Sequence, residues 1–395
     1  MFMKTAPLVI LSLLVGTAST AFGQAIPGAF IVEVEGRCTG RCRQALRSAL
    51  AANPDTAGCV PKRASLIGDL SFVDVICPPA ASPASESAVN RALRSRVSTA
   101  DASIKIVQQD MVVSTTTTDL WGIDEADGGV TKVNGSPVRD GLRTCSMTSQ
   151  NGEGVNVWVL DTGCTPTAGG FCQGYYGGSD VCRDNNGHGT HVGGTVNHPV
   201  YGVAPAAVRS CVKVLSDSGS GSYSNVISGI EYAANNRNAF SNGDVINLSL
   251  GGGRFEPVND AVVAARGLGV FFAIAAGNSA DNACNYSPAS APGGGIFTVQ
   301  AHNVNLNPAS FTNFATSDLK CTDLSAPGVA IVSEGLDGSP VSYSGTSMAS
   351  PHVAGACAVL LSDGLSPTRG RLAAEFVRIK IPGALNRRSL GLACA

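Results

Sequence analysis

Charge is scarce in this chain. Asp, Glu, Lys and Arg make up 14% of its 395 residues and the formal net charge is −2, where a typical soluble domain gives these four about a quarter of its residues. That balance offers no basic surface for a phosphate backbone and argues against a nucleic-acid partner. Long apolar runs are missing too. Leu8 to Val15 is too short to cross a bilayer, no second such run follows, and a protein embedded in a membrane through apolar helices is therefore not expected. Internal repeats and coiled-coil heptads are also absent. What the chain does have is glycine, 47 residues, and cysteine, 13. Glycine well above the usual background of about 7% suits a loop-rich α/β enzyme.

Residues 1–23 read as a secretory signal peptide, with Lys4 as the charged start, Leu8 to Val15 as the apolar stretch and small residues before Gly23-Gln24. The protein is expected to be secreted, extracellular and monomeric. In that compartment the cysteines read as disulfides. Four lie early (Cys38, Cys42, Cys59, Cys77) and the remaining nine are an odd number, so one is expected to stay free. Cys357, in an apolar stretch, is the candidate; the pairing of Cys145, Cys164, Cys172, Cys182, Cys211 and Cys394 is left open.

Two domains follow the signal. Within 24–113, Ala29–Glu35, Arg63–Ile67, Leu70–Ile76 and Ser103–Val113 read as strands, and Cys42–Leu50 and Ser85–Arg96 as helices. This is a small α+β, ferredoxin-like unit. Residues 114–120, opening with Ser114-Thr115-Thr116-Thr117-Thr118, read as an exposed linker. In 121–395 strands and helices alternate: Val155–Leu160, His188–Thr195, Cys211–Leu215, Ser224–Asn235, Asp244–Leu248, Val258–Arg266 and Val270–Ala275. Such alternation implies a parallel central sheet with helices on both faces.

Three segments carry chemistry. The apolar strand Val155–Leu160 ends at Asp161-Thr162-Gly163, and a carboxylate just past a strand end is a common place for chemistry in parallel sheets. Asn185-Asn186-Gly187-His188-Gly189-Thr190-His191 brings imidazoles into a glycine-rich turn. Gly345-Thr346-Ser347-Met348-Ala349-Ser350-Pro351-His352 sets a serine where a helix begins. Pro351, lacking an N–H, is expected in the first helical turn. A helix start suits an attacking hydroxyl, because backbone donors and the dipole favour the negative charge that develops there.

Asp161, His188 and Ser347, in that order and in those motifs, resemble the subtilisin-like serine proteases. Gly219-Ser220-Gly221, Asn285-Tyr286-Ser287-Pro288-Ala289 and Ala326-Pro327-Gly328 are similar to the proteinase K-like branch. The resemblance implies a subtilisin-like fold and an Asp161–His188–Ser347 triad, with the Asn278 amide and the Ser347 N–H stabilising the oxyanion. It further implies that Ser249, Leu250, Gly251 and Gly252 line one side of the S1 pocket and Ala275, Ala276 and Gly277 the other. Gly219, Ser220 and Gly221 would form the far edge of the peptide groove. These walls carry no carboxylate, so large apolar or aromatic P1 residues are expected, with Arg254 near the groove. His191 and His352 are expected to be structural: no Glu completes a His-Glu-x-x-His zinc pattern. His198 and His302 read as surface or satisfied core residues.

Residues 24–113 resemble the inhibitory pro-domain of the same family, and the loose match is Gln108-Gln109-Asp110-Met111. The domain is expected to assist folding, block the cleft with its tail, and be cut off by the enzyme itself between about Asp110 and Asp119. Peptide or protein substrates and this pro-domain are the expected partners. No organic cofactor is expected. A structural calcium ion is, held by Asp323 with the carbonyls of Pro292 and Ile296. A disulfide Cys284–Cys321 is also implied. Two alternatives stand beside this reading: a catalytically idle relative used for binding, and an esterase. The esterase lacks its Gly-x-Ser-x-Gly elbow here, and Ser347 comes last in the triad order instead of first.

Overall fold

The computed structural model describes residues 25–78, 85–97, 103–115, 131–133, 136–138, 151–176, 181–237, 239–305, 307–316, 321–372, 378–379 and 387–389. The expected signal peptide, residues 116–120 of the expected linker, Cys145 and Cys394 lie outside them.

The N-terminal unit runs β1 (Ala25–Glu35), α1 (Gly40–Ala51), β2 (Val60–Ile67), β3 (Leu70–Ile76), α2 (Glu86–Arg96) and β4 (Ser103–Thr115). Its antiparallel sheet has the order β4-β1-β3-β2. Alternation along β1 splits the strand between two cores. Phe30, Val32 and Val34 pack with Leu46, Leu50, Val89 and Leu93 of the two helices, while Ile31 joins Ile67 and Phe72 in a core shared with the larger domain. Disulfides Cys38–Cys42 and Cys59–Cys77 close this unit.

The larger domain supplies β5 (Val155–Asp161), β6 (Cys172–Gly174), α3 (His188–Asn197), β7 (Val208–Lys213), β8 (Ser220–Ser222) and α4 (Tyr223–Asn235). It continues with β9 (Gly243–Leu248), β10 (Leu250–Gly253), α5 (Glu256–Gly267), β11 (Phe271–Ala275), β12 (Ile296–His302), β13 (Leu324–Pro327), β14 (Ile331–Glu334), β15 (Pro340–Tyr343) and α6 (Thr346–Ser362). Strands β13-β12-β11-β9-β5-β7-β6 lie side by side in parallel. All seven residues of β5 are buried, which is why that strand reads as apolar on both faces apart from Asn156 and the terminal Asp161. One core contains α4 and α5 residues, the other α6 residues. Together they make a subtilisin-like α/β fold.

Two expectations are corrected. The helix carrying the serine starts at Thr346, so Pro351 lies inside it instead of in the first turn. A proline there leaves the carbonyl four residues back, that of Ser347, without its helical donor; Ser249 Oγ donates to that oxygen at 2.8 Å instead. Ser114 and Thr115 belong to a strand instead of the linker. They end β4, whose backbone pairs antiparallel with both β8 and β10.

Candidate active site

Asp161 ends β5, fully buried, and its Oδ1 lies 2.7 Å from Nδ1 of His188, the first residue of α3. Gly187, at φ +100°, makes the turn that delivers His188. Asp184 binds the two segments together. Its Oδ1 accepts from Thr162 Oγ1, Asn186 N and Gly187 N, each at 2.9 Å. Its Oδ2 accepts from Thr190 N at 2.8 Å and Thr190 Oγ1 at 2.7 Å. Sequence reasoning passed over Asp184; the available signal was an acidic residue just ahead of a helix start.

Ser347 is the second residue of α6 and its Oγ donates to the Ser249 carbonyl at 3.1 Å. His188 Nε2 is buried and has no hydrogen-bond partner among the described residues. Asn278 follows β11 through Gly277 (φ +100°), where a Cβ would run into the Asn313 amide. Asn278 Oδ1 accepts from Thr346 N and Thr346 Oγ1, both at 2.9 Å. This orients the amide, leaving Nδ2 a buried donor without a partner among the described residues. Asn313, distant in sequence, braces the turn: its Nδ2 donates to Ala276 O at 2.9 Å and its Oδ1 accepts from Ser279 N at 2.9 Å. Nothing local in the sequence marks Asn313.

A small pocket beside Asn278 is lined by Gly251, Ala275, Ala276, Gly277, Ser279, Tyr286, Ser287 and Ala289. None of these carries a charge. Tyr286, Ser287 and Ala289 belong to a segment noted for its resemblance but given no role. Arg254 is held by Glu256 at 2.5 Å and donates to the Cys284 carbonyl at 3.0 Å. Between the two nominated groove edges lies backbone of β4: Val112, Val113 and Ser114 pair with Ser222, Gly221 and Ser220, while Ser114 and Thr115 pair with Gly251 and Leu250. Gly219, Ser249 and Gly252 flank these pairs in sequence.

Three of the other histidines, His191, His302 and His352, are buried, and each is bonded through one ring nitrogen. His191 Nε2 lies 2.9 Å from Ile331 O and its ring stacks on Tyr343; His352 Nδ1 lies 2.7 Å from Met348 O and His302 Nδ1 2.9 Å from Ser325 Oγ. His198 is half-buried, its Nδ1 accepting from Val200 N at 3.1 Å. Disulfides join Cys164–Cys211, Cys172–Cys182 and Cys284–Cys321, and Cys357 is a buried free thiol. The first of these fastens the segment after Asp161 to β7.

The calcium expectation meets a different arrangement. Asp323 Oδ1 is paired with Arg369, and its Oδ2 accepts from Thr298 N at 2.9 Å. Arg266 Nε donates to the Gly294 carbonyl at 2.7 Å, in the loop between Pro292 and Ile296. Both oxygens of the carboxylate a metal would need are thus taken, one by the Arg369 guanidinium and one by a backbone N–H, and Asp323 so held does not fit a calcium ligand. Among the described residues no group of three or more His, Cys, Asp or Glu could hold one either.

A buried carboxylate–imidazole pair, a serine at a helix start and an amide donor, with the acid and the amide at the carboxyl ends of interior strands of a parallel sheet, outline a serine peptidase. Comparison with known proteins gives the family. The profile of the Subtilase family matches residues 152–375. Proteinase R from Parengyodontium album is 39% identical over 270 residues, 66% of this chain and 66% of that protein. Subtilisin-like serine protease AsES from Sarocladium strictum is 39% identical over 274 residues, again 66% of each. Among solved structures, a cold adapted subtilisin-like serine proteinase matches with a TM-score of 0.59 and 35% identity, covering 70% of this chain and 99% of that one. The chain belongs to the subtilase family of serine proteases. It spans just under two thirds of the length of the two curated relatives.

Proposed function

We propose that the protein is a secreted serine endopeptidase made as a self-processing zymogen. The observation that carries this reading is the backbone of residues 112–115 running as a strand between Ser220–Ser222 and Leu250–Gly251. An extended peptide added to two strand edges is how a groove of this kind takes a substrate. The N-terminal domain would hold its own tail there as a product-like plug. Secretion is supported by the charged and apolar start of the sequence; no helix among the described residues is long and apolar enough to cross a membrane.

In this mechanism Ser347 Oγ attacks the peptide carbonyl and His188 Nε2 takes its proton, then delivers it to the leaving amine. Asp161, bonded to Nδ1, fixes the tautomer and stabilises the imidazolium. The negative oxygen is met by Asn278 Nδ2 and the Ser347 N–H. Water then hydrolyses the acyl-enzyme by the same proton route. The uncharged pocket wall favours large apolar or aromatic P1 residues, and cleavage profiling of a peptide library tests this; a strict Arg or Lys preference would contradict it.

Expression of Ser347→Ala tests the whole reading. The variant is expected to remain an uncut precursor, inert toward casein and unlabelled by a fluorophosphonate, while the parent is cut between about Asp110 and Asp119. Processing of the variant in isolation would rule out self-cleavage.

A further inference from the structure

The N-terminal sheet meets α5 through the apolar side chains of Ile31, Ile67 and Phe72 and meets α4 through polar ones such as Arg63 and Ser65, and the contact buries acids. Side chains paired across adjacent antiparallel strands share a face. Glu33 pairs with Phe72, and Asp74 with Ile31. Phe72 and Ile31 both belong to the core containing Val258, Ala261 and Val262 of α5. Glu33 and Asp74 therefore sit on the docking face.

Glu33 is 0% exposed and neither of its oxygens receives a hydrogen bond from a described donor. Its charged neighbours are Lys105 of β4, 3.7 Å away, and the half-buried Asp260 of α5 across the contact. Asp74 lies 3.3 Å from Arg63 of β2, with Asp110 of β4 and Glu231 of α4 close by. Asp110 accepts from Ser224 Oγ of α4 at 2.7 Å. A carboxyl buried away from water beside a second carboxylate is favoured in its protonated form, which can donate to its neighbour.

We propose that the Glu33–Asp260 carboxyl pair is a proton-dependent latch, holding the N-terminal domain on the enzyme in acid and letting go as the pH rises. This rests on the zymogen reading and adds its regulation. Burial, then the Asp260 carboxylate, pushes Glu33 up from its usual value to about 7, against the pull of Lys105. Burial likewise raises Asp74 to about 6 against Arg63, and it raises Asp110. On separation Glu33 becomes a solvent-facing residue of an open sheet, and its proton is held less tightly. The docked state thus binds protons more strongly than the separated parts. Its advantage is complete below the ordinary carboxylate range and lost as the pH passes through about 7.

The test uses the full chain. After self-cleavage, retention of the N-terminal fragment on the enzyme is followed by size exclusion, and the emergence of activity is scaled to the processed enzyme at each pH. From pH 5 to pH 8 retention is expected to weaken by about tenfold to a hundredfold, the change that one carboxyl moving from its ordinary value to about 7 produces. Glu33→Gln keeps a donor toward Asp260 at every pH and should stay docked at pH 8, reducing the change to a few-fold. Asp260→Asn makes the same test from the enzyme side.

Failure of the zymogen reading shows itself separately, as a parent chain that is never cut. The latch is still readable then, in uncut Ser347→Ala precursors. A precursor that also carries Glu33→Gln should gain several degrees in melting temperature, relative to one that keeps Glu33, between pH 5 and pH 8. The same pH dependence in precursors with and without Glu33→Gln or Asp260→Asn would overturn the latch.

Discussion

Ser249 and Ser347 exchange hydrogen bonds: Ser249 Oγ donates to Ser347 O at 2.8 Å and Ser347 Oγ donates to Ser249 O at 3.1 Å. The first of these substitutes for the helical bond that Pro351 cannot make. Asn247 Nδ2 donates to Ser249 Oγ at 2.9 Å, and Ser350 Oγ donates to Asn247 Oδ1 at 2.7 Å, extending the network under the helix start. The bend in the hydrogen-bonding scheme of α6 is therefore tied to the strand that forms one wall of the pocket.

Ser249→Ala should strip a donor from a buried carbonyl and cost about 1–3 kcal/mol, read by denaturant unfolding. Pro351→Ala restores an N–H four residues after Ser347, so the double variant should recover part of that loss. Strict additivity of the two substitutions would mean that the Ser347 carbonyl is not their shared term.

Much of this was legible in advance, for identifiable reasons. Val155–Leu160 and Leu70–Ile76 were located by apolar pattern, because one is buried on both faces and the other alternates. Leu46 and Leu50 recur on one helix face and do meet the sheet. The start of α6 was misplaced because the proline rule looks only at the local chain, while the compensating donor, Ser249, is 98 residues away. Asn313 escapes notice for a related reason: it gathers the backbone N–H groups of Ser279 and Asp281 from a segment distant in sequence, and periodicity does not report that. Asp184 gathers N–H groups from its own turn, and its link to another segment is the Thr162 hydroxyl. Against the calcium expectation stands Arg369, whose pairing with Asp323 spans 46 residues and is invisible in the motif around the acid.

Asn278 is oriented through its oxygen, so its role can be probed from behind. Asn278→Ala is expected to lower kcat by about 10²–10³, the range measured for the equivalent donor in subtilisin itself. Thr346→Val removes the hydroxyl that donates to Asn278 Oδ1 and accepts from Gly277 N at 3.1 Å. It should lower kcat by about tenfold with KM little changed, since ground-state binding does not use Nδ2. A loss confined to KM would place Asn278 in substrate binding instead.

The Arg369–Asp323 pair predicts indifference to chelators at this place. A chelator should shift the melting temperature of the parent and of Asp323→Asn equally, whatever binds elsewhere. Arg369→Ala should cost about 1 kcal/mol or less, as befits a pair with one half-exposed partner. A chelator effect present in the parent and lost in Asp323→Asn would return calcium to the site.

Acid should weaken the catalytic domain through its buried imidazoles. Burial lowers His191 to about 4, His302 to about 3 and His352 to about 4; proximity of His352 adds to the effect at His302. In the unfolded chain each returns to about 6.5. A histidine held below its unfolded value contributes stability that is complete above pH 6.5 and lost as the pH falls toward 4, at up to about 1.4 kcal/mol per pH unit for each group. The melting temperature of the processed enzyme should be flat from pH 7 to 8 and drop steeply between pH 6 and 4, with His302→Gln reducing the slope. The acids at the N-terminal contact carry the opposite sign, because Glu33 and Asp74 are raised and favour the docked state at low pH. The uncut Ser347→Ala precursor should therefore lose less than the processed enzyme over the same range, and a precursor that melts as steeply in acid as the processed enzyme would show that those acids do not titrate as their burial demands.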